Sequence, residues 1–113
     1  MKALIVDPAL HSMGGHHYNA MLALKAELSA QGIDHECLVS AYADGQVTGD
    51  LKGRPCFTRA LYGRSYEEPG EFERCVRDTT RELSRGLRRS LPAPDLLILP
   101  CCDQVLALSL IHI

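Results

Sequence analysis

The sequence is short of several things, and each shortage excludes a class of protein. It has no excess of charge of either sign: 12 basic residues against 14 acidic ones leave a formal charge of -2. A dedicated nucleic-acid binder normally carries a clear basic surplus, so no nucleic-acid partner is expected. No uninterrupted apolar run approaches the roughly 20 residues of a membrane span. At the start, Lys2 is followed by only Ala3, Leu4, Ile5 and Val6 before Asp7, too little for the apolar core of an export leader. No Cys-x-x-Cys pair occurs among Cys37, Cys56, Cys75, Cys101 and Cys102, which argues against a zinc site of the usual spacing. An odd number of cysteines without a leader points to reduced thiols, not to a disulfide framework. These absences together lead us to expect a cytoplasmic protein.

What is present reads as one globular α/β unit. With 113 residues, 46% of them apolar, the chain has the length of one domain and enough apolar content for a core. Lys2 to Asp7 is a buried strand ending in Asp-Pro. A loop with Gly14-Gly15 leads into a helix from about His16 to Ala30, with Gly32 as its stop signal. Tyr18, Met21, Leu22, Leu24 and Leu28 form a broad apolar side, with Lys25 inside the arc and its amine expected outside. His35 to Ser40 is a second strand, which completes a βαβ unit and calls for a parallel sheet. Ala43 to Arg54 reads as loop, Pro55 to Thr58 as a short third strand, and Tyr62 to Gly70 as irregular. Glu71 to Arg89 is an amphipathic helix with Phe72, Val76, Thr79, Leu83 and Leu87 on one face and arginines on the other. Asp95 to Pro100 is a continuous apolar run, the pattern of a strand covered on both faces. Cys102 to Leu110 begins another helix. The fold class is therefore an open parallel sheet, doubly wound and Rossmann-like. The tail from Leu108 to Ile113 resembles translated sequencing-adapter read-through, so residues 1–113 read as a partial domain whose last six residues are artefactual.

In such sheets, ligands bind outside the carboxyl ends of the strands, near the point where the strand order reverses. Three segments fall there: Asp7 to His17, the chain after Ser40, and Pro100 to Asp103. Gly14 and Gly15 let the backbone approach a ligand closely, and the helix that follows offers unpaired N–H groups and a partial positive charge. Together they suit a phosphate, although the pattern is neither a dinucleotide fingerprint nor a P-loop. A plain strand-to-helix turn accounts for the glycines equally well. An imidazole at His16 or His17 can donate to a sugar hydroxyl or phosphate oxygen, or take a proton. Either histidine can equally serve as a helix cap or a buried polar group. A metal held by His11, His16, His17 and Asp7 is not expected, because adjacent helical histidines point about 100° apart. Cys101 and Cys102 occupy a place that holds nucleophiles in some α/β enzymes, but they lack the glycine-flanked elbow and fit core packing better. The arginine stripe suits an anionic membrane surface or an acidic partner. A solvated face with i,i+4 ion pairs explains it more simply.

The run Ala3 to Leu10, then Gly14-Gly15-His16-His17-Tyr18-Asn19, then Leu22-Ala23-Leu24 and Gly32, resembles the opening of GT-B glycosyltransferases. The likeness is nearest to subfamily-4-like N-terminal domains, whose first loop carries Gly-Gly and then His. Asp95 to Pro100 is similar to their later strand that returns to the interdomain cleft. The resemblance covers residues 1–42 and 95–110, and the middle is unmatched. It implies an acceptor-side domain facing a donor-binding domain, with a nucleotide-sugar as co-substrate and no further cofactor. The acceptor would be a glycan, a lipid or a small molecule. Gly14, Gly15 and Asn19 would contact the donor and His16 or His17 the sugar, with backbone N–H groups steadying the departing diphosphate in place of an essential metal. The C-terminal donor domain is missing, so negligible transferase activity is expected of the chain alone. Peripheral contact with the inner face of the membrane fits the same reading. Two alternatives stand beside it: a non-catalytic flavodoxin-like or receiver-like binding module, and a cysteine-dependent hydrolase using Cys101 or Cys102.

Overall fold

The computed structural model describes residues 1–11, 14, 16–59 and 66–113. Four strands, β1 (Lys2–Val6), β2 (Asp34–Ser40), β3 (Gly53–Phe57) and β4 (Leu96–Ile98), form one sheet in the order β3-β2-β1-β4. Every pairing is parallel, with Val6 opposite Leu38 and Ala3 opposite Leu96. Among the described residues, four helices accompany them: α1 (His16–Ala30), α2 (Gly45–Asp50), α3 (Glu71–Arg88) and α4 (Gln104–Ile111).

Side-chain alternation along β1 divides the interior in two. Ala3 and Ile5 pack with Met21 and Leu28 of α1 and Val47 of α2. Leu4 and Val6 pack with Cys75 and Leu83 of α3 and with Val105 and Leu106 of α4. The chain first steps outward from β1 to β3 with its helices on one face. It then returns across the sheet to β4 with α3 on the other. Reversing both direction and face keeps one crossover handedness, the requirement of a doubly wound sheet. The expected open, Rossmann-like parallel architecture is what the chain adopts.

Local chemistry explains the boundaries. α1 stops in a Schellman arrangement: Gly32, at φ 69°, donates to Ser29 O at 3.0 Å, and Ile33 donates to Leu28 O at 2.9 Å. α3 buries Cys75, Thr79, Leu83 and Gly86; of the expected stripe Thr79 and Leu83 are buried, while Phe72, Val76 and Leu87 are half-buried beside them. α4 starts at Asp103, whose Oδ1 accepts from Leu106 N at 2.9 Å.

Several expectations need correction. The segment read as loop from Ala43 to Arg54 contains α2 and the start of β3. Asp44 caps α2 by accepting from Val47 N at 3.1 Å, and Val47 anchors it in the core. β4 is covered on both faces only in part: Ile98 packs against one core and Leu97 against the other, while Leu96, at the start of this three-residue edge strand, is 44% exposed. Leu22 of α1 is 43% exposed instead of packed. The Lys25 amine does not point to solvent but lies 4.0 Å from Cys37 Sγ. Of the segment expected to be irregular, residues 62–65 lie outside the described residues.

Candidate functional site

The direction reversal falls between β1 and β4, so the carboxyl ends of these two strands frame the expected binding edge. Asp7 follows β1 directly and is 1% exposed. Its N–H donates to Leu38 O at 2.9 Å, and its Oδ1 accepts from Ala9 N at 3.2 Å, which fixes the turn after the strand. Its Oδ2 lies 3.2 Å from Nδ1 of His17, in the first turn of α1. The carboxylate therefore ties the start of α1 back to the end of β1. The loop is tied on its other side as well. Ser40 N donates to Leu10 O at 3.1 Å, and Asp44 N donates to His11 O at 2.8 Å.

The predicted residues take different positions. Gly14 is an exposed bend ahead of α1. Gly15 lies outside the described residues. His16 opens α1 and is exposed, with its ring 4.3 Å from that of His17 and tilted by 30°. His17 is half-buried against Asp7. Asn19 is exposed on α1. Asp7, missed as a site residue because ten positions across a loop carry no periodic signal, organises the edge. Among the described residues, no group of three or more His, Cys, Asp or Glu side chains has metal-binding geometry.

The β4 side contributes Cys101, Cys102 and Asp103. Burial, then the charges of Asp7 and Asp103, push the Cys101 thiol above its ordinary value. Burial and Asp103 do the same to Cys102. A nucleophilic cysteine needs the opposite, a thiol whose anion is stabilised. This electrostatic setting speaks against the hydrolase alternative.

The central acids of α3 are engaged from outside the helix. Asp78 accepts from Arg59 at 2.6 Å. The carboxylate of Glu82 accepts from the N–H and hydroxyl of Thr58. Both acids face the chain entering from β3, and neither forms an ion pair with an arginine of α3 among the described residues. Arg77, Arg81 and Arg88 line a groove of about 470 Å³ between α3 and the end of α4.

Towards the amino ends of the strands lies an ionic hub that the sequence does not advertise. Glu36 accepts from Lys2 Nζ at 3.1 Å, from Arg54 at 3.1 Å and from Ser90 Oγ at 2.7 Å. Partial burial works against its charge, yet the Ser90 and Lys2 hydrogen bonds and the Arg54 charge hold its carboxyl below the usual range. This hub joins β1, β2, β3 and the chain after α3. Its role is structural.

Among the described residues, no helix is long and apolar enough to cross a membrane. Comparison with protein-family models, with curated proteins and with solved structures finds no match to this chain.

Proposed function

We propose that this chain is the acceptor-side, Rossmann-like half of a GT-B glycosyltransferase, which moves a sugar from a nucleotide-sugar to an acceptor together with a donor-binding domain. The observation that carries the reading is the exposed Gly14 directly ahead of α1, at the strand-order reversal, with Asp7 and His17 bracing the loop. In glycosyl transfer the bond from the anomeric carbon to the β-phosphate oxygen breaks, and the oxygen keeps the electron pair. The acceptor oxygen forms the new bond and loses its proton. Backbone N–H groups at the start of α1 suit the charge gathering on the departing diphosphate. A carboxylate on Nδ1 orients an imidazole in the way that proton-handling histidines are held. His16 stacks beside it and extends the polar wall.

The test is a titration of the isotopically labelled chain with uridine and guanosine diphosphates and their sugar esters, followed by amide NMR. Shifts centred on Gly14, Gly15, His16, His17 and Asn19 are expected, with weak affinity in the absence of the opposing lobe. Gly14→Val should abolish them without loss of stability, because Gly14 is exposed. Diphosphates that leave these amides unmoved would refute the reading. A source gene encoding no second Rossmann-like domain after residue 107 would refute it as well.

A further inference from the structure

We propose that the cleft between β3 and the C-terminal half of α3 binds a small dianionic oxyanion, either phosphate itself or a phosphomonoester. The site lies on the free β3 edge, away from the switch-point edge, and does not rest on the transferase reading. It is a cavity of about 120 Å³ walled by Arg54, Arg85, Arg89 and Glu82 over a floor of Leu38 and Cys56. A single water needs about 10–15 Å³ of such volume, so a multi-atom anion fits. Three guanidinium groups against one carboxylate leave two positive charges at the walls.

The three arginines are not placed alike. Arg54 is anchored: its Nη2 donates to Glu36 at 3.1 Å and to Gly86 O at 3.2 Å, leaving Nε and Nη1 without a described partner. Arg85 and Arg89 stand four residues apart, one turn along α3, and carry no ion pair among the described residues. Like charges at that spacing oppose each other. Basic residues at a helix C-terminus complement the dipole, which accounts for Arg85 and Arg88. It does not account for Arg54, which reaches the same cavity from β3. Glu82, the one acid at the walls, already accepts from Thr58. Gly86 lets α3 lie this close, since a Cβ there would meet Leu38 Cδ1 at 2.6 Å. A planar fork held by one nitrogen and joined by two exposed guanidinium groups suits the oxygens of a tetrahedral anion.

The experiment titrates the whole chain with inorganic phosphate and, separately, with phenyl phosphate, against sodium chloride at matched ionic strength. Amide NMR and thermal unfolding are the readouts. Saturable shifts at Arg54, Cys56 and residues 85–90, with a rise in melting temperature, are expected. Arg85→Gln/Arg89→Gln should weaken binding about tenfold or more, each lost ionic hydrogen bond being of that order. Arg77→Gln/Arg81→Gln, equal in charge change but on another face, should leave it intact. Tighter binding of phenyl phosphate identifies a phosphomonoester site, and equal or weaker binding a site for free phosphate. An equal response to chloride, equal loss in both double variants, or shifts confined to other residues would overturn the proposal.

Discussion

Asp7 Oδ2 and His17 Nδ1 lie 3.2 Å apart, joining the residue after the first strand to the first turn of the first helix. The carboxylate is buried and the imidazole half-buried, so the contact is screened from solvent more than a surface pair would be. It fixes both the loop path and the orientation of a ring at the proposed binding edge.

Asp7→Ala should lower stability by about 1 kcal/mol or more, because it leaves the part-buried Ala9 N–H without its acceptor. Urea unfolding measures this. In the parent chain, long-range proton–nitrogen spectra should show His17 carrying its proton on Nδ1, donated to Asp7. A proton found on Nε2 instead, with Nδ1 bare, would contradict the orienting role.

Gly86→Ala is a packing test. Its new methyl would lie 2.6 Å from Leu38 Cδ1 and 3.1 Å from Cys56 Sγ, so either the buried Leu38 side chain must repack or α3 must lift from the sheet. Overpacking of this kind typically costs about 1–3 kcal/mol. An unchanged denaturation midpoint would show that the helix accommodates the methyl freely.

The pH dependence of stability follows from Glu36. Its folded carboxyl titrates below the unfolded value of 4.5, so its contribution is fully present above that pH and is lost as pH falls through the lower folded value. Stability should therefore decline below about pH 4.5, and Glu36→Gln should flatten that decline at the cost of stability at neutral pH. Acid titrations of both chains that superimpose would refute the hub's role.

Thiol chemistry gives a further check. Burial, helped by Glu82, pushes Cys56 up to about 11, and Cys37, Cys101 and Cys102 are also raised. At neutral pH, iodoacetamide should react slowly everywhere, reaching the exposed Cys102 first and the buried Cys37 and Cys75 only after unfolding. A single fast-reacting thiol at Cys101 or Cys102 would revive the hydrolase alternative.

Much of the architecture was legible because it depends on local pattern. The unbroken apolar run of β1, Gly32 after α1 and the apolar stripe of α3 each state their structure within a few residues. α2 was obscured because Gly45 and Gly49 lower helix propensity, while its support comes from the Asp44 cap and from Val47 reaching a core built elsewhere. Leu96 to Ile98 reads as a central strand, yet edge position depends on strand order, which no local run encodes. Asp78 and Glu82 have the spacing for helical ion pairs, but Arg59 and Thr58 claim them from outside the helix. At the candidate site, Gly14 and the histidines stand out by residue type. The Asp7 pairing emerges only once the loop folds back.

β1 has no idle face: Ala3 and Ile5 supply one interior, Leu4 and Val6 the other, and all four are fully enclosed. Inserting or deleting one residue within it would interchange the two cores. The same slip would turn the carboxylate that follows to the wrong side of the sheet. Errors of length in this strand are thus punished twice, once in folding and once at the mouth of the crevice.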